Sequence, residues 1–348
     1  MVAGNSIESD AILFATDVKS LIASLDNQNH MLETTASNPP DAAEVYVKET
    51  EVNGKTVSFE CTKINGQTYC VTRGLLRVMG LEDDWYEDVT EPASVIAGLN
   101  ESDTGADIFT FWQRLPDVEP KYHYHTEWQS VAVLPIKTFD YWWKTQIKDK
   151  TRNMVRKAKK AGIEVREASY DDAFVQGMTD IFNETPKRQG RRFWHYGKDF
   201  ETVKQQFSRF LFREELIGAY YGGELVGFAM LANARQYGVL GQIISKIKHR
   251  DKAINNALIA KVIEKCETKQ LPYLVYAYWN ENSLSDFKRH CGFKCIKLPR
   301  YFVPLTFRGT LALKLGIHRD WKEIIPAQIK DPLKKLRSRW SSLSRDKF

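Results

Sequence analysis

Residues 163 to 308 predict an α+β fold with one mixed, mostly antiparallel sheet flanked by helices. Three observations carry that prediction. Strand-like runs at Leu216 to Tyr221, Glu224 to Phe228 and Gly238 to Ile244 follow one another across the Gly222-Gly223 turn and a polar break, the pattern of a hairpin meander. Ala257, Leu258, Val262 and Ile263 then recur at helical spacing as far as Cys266. Last, Tyr273 to Tyr278 is a β-branched and aromatic run suited to a buried strand, and Leu284 to His290 is a short helix stopped by Gly292. Meander, long helix, strand, short helix and strand make one α+β unit.

The chain before this unit is read in order. Residues 1–43 are polar, weakly periodic and end in Pro39-Pro40, so they read as a mobile leader. From Val45 to Thr72, Asn-Gly turns at Asn53-Gly54 and Asn65-Gly66 delimit a three-stranded meander. Folding about Asn65-Gly66 sets Cys61 opposite Cys70 at a non-hydrogen-bonded site, where side chains lie closest. In a reducing cytosol two neighbouring free thiols are expected there. The acidic run Glu82 to Asp88 reads as a solvated surface loop.

Ala106 to Leu115 and Trp128 to Ile136 read as central strands of a β-rich N-terminal part, residues 45–140. Between them His123 and His125 share one face of an extended chain, but no third ligand is visible, so no metal is expected. Phe139 to Gly162 reads as one connecting helix (141–162) with Trp143, Ile147, Thr151, Met154, Val155 and Ala158 on its apolar face. Its other faces carry eight cations from Lys144 to Lys160 against Asp149 alone, enough to track a phosphate backbone. Ile163 to Glu167 is a strand; Asp172 to Glu184 and Asp199 to Glu214 are helices with apolar inner faces. Residues 309–348 form a basic tail with an apolar stripe at Ile329, Leu333, Leu336 and Trp340, fit for a peripheral contact with a membrane surface, for nucleic acid, or for docking back on the domain.

Composition narrows the class only slightly. With 348 residues and 43% hydrophobic content the chain holds a sizeable core, and a net charge of +6 excludes few partners. Five cysteines, an odd number, argue against a disulfide scaffold. No apolar run approaches the length of a bilayer span and the first residues lack a secretory profile, so a cytoplasmic protein is expected.

The stretch Arg250-Asp251-Lys252-Ala253-Ile254-Asn255-Asn256 leads into the predicted helix. Here the chain resembles the GNAT acyltransferase superfamily, in which a loop of pattern R-x-x-G-x-G/A holds the pyrophosphate of coenzyme A on its amides. The arginine and the helix start match; Ala253 and Asn255 stand where the glycines fall. The resemblance implies a GNAT-like fold, acyl-CoA (acetyl-CoA) as co-substrate, and a donor site at Arg250, Lys252, Ala253, Asn255 and Asn256. The run Lys150 to Gly162 and the F-K-x-x-x-G pattern at Phe287 to Gly292 are similar to the FemAB/FemX branch, tandem GNAT-fold aminoacyltransferases that use charged tRNA. That likeness implies a degenerate second GNAT-like copy in residues 45–140. It also makes Lys288 a fixed cation beside developing negative charge.

The loop Asn183 to Gly197 concentrates cations, aromatics, a histidine and an acid to a degree unusual for a connector. In GNAT-like folds this segment walls the acceptor side of the cleft. Arg188, Arg191 and Arg192 are therefore expected to grip a carboxylate or phosphate, and Trp194 and Tyr196 to stack on a ring. Glu184 or His195 is expected to take the proton of an attacking amine, with Lys288 as the third catalytic residue. Together these readings predict an N-acyltransferase acting on a small-molecule or peptide amine by direct attack. Two alternatives stand beside it: an aminoacyl-tRNA-dependent transferase, and a non-catalytic protein that binds nucleic acid or another anion.

Overall fold

The computed structural model describes residues 45–52, 55–72, 76–188, 190–208, 211–212, 214–279 and 283–318. The expected leader, the Asn53-Gly54 turn and the tail beyond residue 318 lie outside the described residues.

Strands β1 (Val45–Val52), β2 (Lys55–Ile64) and β3 (Gln67–Val71) form the meander, with Asn65 and Gly66 both at positive φ in the second turn. Such dihedrals are what an Asn-Gly hairpin turn requires. Cys61 does pair with Cys70, their Cα atoms 4.1 Å apart, but the thiols are joined in a disulfide where free thiols were expected. The close Cα approach of a non-hydrogen-bonded pair brings the sulfurs together.

After β4 (Val78–Leu81) the acidic run is not the solvated loop it resembled. Glu82 is buried against Lys48 Nζ at 2.6 Å, and Trp112 Nε1 donates to the Asp84 carbonyl. Arg114 donates to the carbonyls of Trp85 and Glu87 and pairs with Asp88. Each charge drawn inward has an opposite charge or a carbonyl to meet it, the condition for burying charge at all. Helix α1 (Pro92–Glu101), β5 (Ile108–Trp112) and β6 (His125–Pro135) complete this part. Because β6 begins at His125, His123 lies outside the strand and the expected histidine pair does not form.

The connecting helix is broken. A turn over Phe139–Tyr141 runs into a π-helical turn over Trp142–Gln146, Ile147 is extended, and α2 spans Asp149–Lys160. Arg152 donates to the carbonyls of Trp143 and Ile147, satisfying the groups that the break frees.

Then follow β7 (Glu164–Ala168), α3 (Asp172–Asn183), a hairpin of β8 (Lys187–Arg188) and β9 (Arg191–Arg192), and α4 (Phe200–Ser208). Next come β10 (Glu214–Tyr221), β11 (Glu224–Asn233) and β12 (Gly238–Ser245), a 3-10 turn over Ile247–Lys252, and α5 (Ile254–Thr268). The described elements end with β13 (Tyr273–Tyr278), α6 (Ser283–His290), β14 (Lys294–Pro304) and α7 (Phe307–Leu315).

All the strands but the β8-β9 hairpin join one sheet, ordered β1-β2-β3-β4-β5-β14-β6-β13-β12-β11-β10-β7. The last strand, β14, lies between β5 and β6, and β6 in turn pairs with β13. The expected separation into residues 45–140 and 163–308 is thus not a break in the sheet. Strands from both stretches interleave at its centre.

Alternation along β10 and β11, shifted once where Val226 is an extra residue against β10, sends Ile217, Val226, Ala229 and Leu231 to one face, with α5, and Leu216, Leu225, Phe228 and Met230 to the other, with α3 and α4. A sheet covered on both faces needs continuous apolar strands, and β11 is buried at all but its two ends. Gly227 lets the start of α5 settle on the sheet: a Cβ there would stand 2.8 Å from Ile254 Cγ2 and 3.1 Å from the Ile244 carbonyl. Gly227→Ala is expected to lower stability by about 1–3 kcal/mol through overpacking, measured as the urea midpoint. An unchanged midpoint would mean that the helix start is not seated there.

Candidate functional site

Parallel strands β12 and β13 pair at only two positions, Gly238 with Leu274 and Val239 with Val275. Past those rungs β12 stays with β11 and β13 with β6, so the two strands part and leave a wedge. Both lips are irregular. Gly241 is an extra residue of β12 against β11, since Met230 pairs with Gln242 but Leu231 with Leu240. On β13 the register slips between Val275 and Tyr278, and Ala277 takes φ 48°. Bulges bend and twist a strand locally, and here they accompany the parting.

The start of α5 lies where β12 leads out through the 3-10 turn. Its N-cap, Ala253, sits at φ 54° and ψ 37°, the left-handed region in which a non-glycine residue costs about 1–2 kcal/mol. So the backbone shape that glycine would give is kept without glycine. No side chain caps α5, and Asn255 Oδ1 is buried without a hydrogen bond. Arg250 is exposed beside it, while Lys252 Nζ lies 5.0 Å above the Tyr221 ring and Asn256 is half-buried. Free amides and a favourable dipole make an uncapped helix start an anion site.

Lys288, on α6, is 2% exposed; its Nζ donates to the Tyr278 carbonyl at 2.7 Å and stands 4.5 Å from the centre of the Tyr276 ring. Burial pulls its pKa down to about 8. A cation is therefore fixed at the end of β13, on the lip of the wedge.

The loop after α3 does something other than expected. Both carboxylate oxygens of Glu184 accept from backbone amides, Oε2 from Ile247 N at 2.5 Å and Oε1 from Lys248 N at 2.8 Å. It caps the 3-10 turn. Arg188 donates to the Ser245 and Ile181 carbonyls, each at 2.8 Å, and to Glu184 at 3.2 Å, with Phe193 stacked beneath. It ties α3 to β12. His195 stacks on Phe182 with ring centroids 4.4 Å apart, and Lys198 Nζ donates to its Nδ1. Burial first, then the charges of Lys198 and Arg188, hold its pKa well below the ordinary histidine range. A base in that position is weak. Trp194 is half-buried under Lys198, whereas Arg192 and Tyr196 are exposed; the side chain of Arg191 is outside the described set.

Residues 175–293, a third of the chain, match the family model described as Acetyltransferase (GNAT) family. Over that stretch the chain is similar to a GNAT domain. Among solved structures it is similar to FemX at 12% identity, covering 73% of this chain and 88% of that one with a TM-score of 0.49. It is similar to L-PGS from Bacillus licheniformis at 13% identity, over 70% of this chain and 83% of that one, TM-score 0.49. A tandem GNAT protein from the clavulanic acid biosynthesis pathway is similar at 10% identity, over 77% and 85%, TM-score 0.42. No curated protein matches.

Two groups at the wedge escaped sequence reasoning. A Cβ on Gly241 would stand 3.5 Å from both Glu214 Oε1 and Tyr86 Oη, so a carboxylate and a phenol overlook the β12 bulge. Glu214 reaches it from the first residue of β10. Tyr86 comes from the acidic run, and only the pairing of β14 and β6 across the sheet brings that loop near. The one signal in the sequence was the Trp85-Tyr86 pair among acids, an odd place for two aromatics in a solvated loop.

Two measurements follow from these contacts. Arg188→Lys keeps the charge but cannot bridge two carbonyls and a carboxylate, so a loss of about 1–3 kcal/mol in urea unfolding is expected. Unchanged stability would return Arg188 to a gripping role. Lys288 is held at about 8 in the fold against 10.5 ordinarily. Between those values the unfolded chain carries a proton that the folded chain has given up, so this group adds stability as pH rises through that window. Wild type should gain on Lys288→Met over that range; a constant difference would mean that Lys288 is not desolvated.

Proposed function

We propose that this chain is an N-acyltransferase that takes an acyl group from acyl-CoA and passes it to an amine by direct attack. The observation that carries the reading is the two-rung pairing of β12 with β13 beside an uncapped α5. An extended donor chain fits between the parted edges and meets their backbone groups, while its phosphates lie on the amides of Ile254 and Asn255. Arg250 and Lys252 add positive charge around them. The carbonyl to be attacked would lie near Gly241. Lys288, protonated below about 8, stabilises the oxyanion or the leaving group. The attacking amine must be neutral, and with Glu184 and His195 engaged, Glu214 takes their place as proton acceptor, through a water if not directly. Exposed Arg192 and Tyr196 remain the candidates for acceptor contact.

A second reading has its own support. Helix α2 packs along α5 and reaches the Ile247–Lys252 turn, and Lys144, Lys148, Lys150, Arg156, Lys157, Lys159 and Lys160 are all exposed around it. A basic face that adjoins an anion site suits a donor with a long phosphate backbone, namely an aminoacyl-tRNA. For membrane contact, α7 exposes Phe307, Leu311 and Leu315 in one line at the entrance to the basic tail.

Acetyl-CoA and bulk tRNA, each added to the purified chain in a thermal-shift assay, separate the readings. With acetyl-CoA as donor, the melting temperature rises and the rise survives RNase. Asn255→Asp, which puts a negative charge at the helix start, weakens donor binding about tenfold, roughly 1.4 kcal/mol. Lys288→Ala lowers kcat about 100-fold with donor affinity unchanged. Salt-sensitive retention of tRNA with no response to acetyl-CoA would favour the second reading. Failure of both donors would leave a binding protein on a transferase scaffold.

A further inference from the structure

A second cluster of chemistry lies away from the wedge. His125 opens β6 and Glu127 follows two residues later on the same face. His318 comes to them from the far end of the chain. Gly316, at φ 69°, stops α7, and the amides of Gly316 and Ile317 bond back to Leu313 and Ala312, turning the chain towards the sheet. His318 then packs on Phe302, the residue opposite His125 in the β6-β14 pairing, with ring centroids 4.9 Å apart.

The donor atoms converge. His318 Nε2 is 2.8 Å from Glu127 Oε1, His125 Nε2 is 3.7 Å from the same oxygen, and all three ligand atoms lie within 4.8 Å of one another. The His318 side chain is 1% exposed, yet its Nδ1 has no hydrogen bond. Its Nε2, not the orphaned Nδ1, is the nitrogen that converges with Glu127 and His125.

We propose that His125, Glu127 and His318 bind one divalent transition metal, zinc by the chemistry of the donor set. Two neutral imidazoles and one carboxylate suit zinc better than calcium or magnesium, which favour oxygen throughout. Tetrahedral ligands at 2.0–2.1 Å from zinc stand about 3.3 Å apart, so sub-ångström shifts bring these atoms to bonding positions. Three protein ligands leave a fourth position for water. His125 lies six residues along β6 from Val131, the partner of Tyr278, about 20 Å from the wedge. The site therefore pins the end of α7 to the sheet and takes no part in transfer.

The test uses the full chain, stripped with EDTA and titrated with Co2+ and then Zn2+. The expected result is one cobalt per chain with visible d–d absorption, displaced by zinc, and a higher melting temperature with zinc. His125→Ala and Glu127→Gln should each lose at least tenfold in affinity, and His123→Ala and His290→Ala should lose nothing. Because His318 packs on Phe302, His318→Gln, close to it in volume, serves beside His318→Ala, with circular dichroism as the check on folding. Should zinc bind equally well to the His125 and His318 variants, or no stoichiometric ion bind at micromolar concentration, the site does not exist.

Discussion

Two backbone rungs, Gly238 with Leu274 and Val239 with Val275, hold β12 to β13, and the rest of the site depends on there being no more. A parallel pair with a helical crossover would ordinarily keep its ladder along both strands. Here each strand is committed to its other neighbour, β12 to β11 and β13 to β6, and those neighbours diverge. The twist of a wide sheet, increased by the bulge at Gly241 and the register slip before Tyr278, holds the edges apart. The backbone groups along those edges need partners, and a bound chain is the simplest supply.

Charge is used inward as much as outward. Arg188 and Glu184 each looked from sequence like groups free to meet a ligand, and each is bonded to backbone. Glu184 caps the turn that leads to α5, and Arg188 fixes the same turn to α3 by way of Ser245. They shape the turn that leads to α5. Lys288 differs: it is buried, bonded to one carbonyl, and aligned with the lip of the wedge. Placing an ammonium group in that pocket costs stability, which is the usual mark of a group retained for its charge.

The sequence disclosed the C-terminal fold well, because its signals are local. Gly222-Gly223, the apolar spacing from Ala257 to Cys266 and the run Tyr273 to Tyr278 fix their elements within a residue or two of the observed ones. It disclosed the interleaving of β14 and β6 not at all, since strand order is a property of pairing between distant segments. The same limit hid Tyr86 and Glu214, and it hid Glu127 and His318 as companions of His125. The connecting helix misled through composition: one apolar stripe runs across Ile147, and only the Arg152 contacts with the freed carbonyls make a break affordable. The loop of Arg188 and His195 was noticed for its odd chemistry, but chemistry alone does not tell a ligand-facing arginine from one that faces the backbone.

Crystals grown with coenzyme A test the central claim most directly. The diphosphate should lie on the amides of Ile254 and Asn255, with the extended arm running between β12 and β13 past Gly241. Strands laddered together beyond Val239 and Val275, with the nucleotide elsewhere or absent, would contradict it.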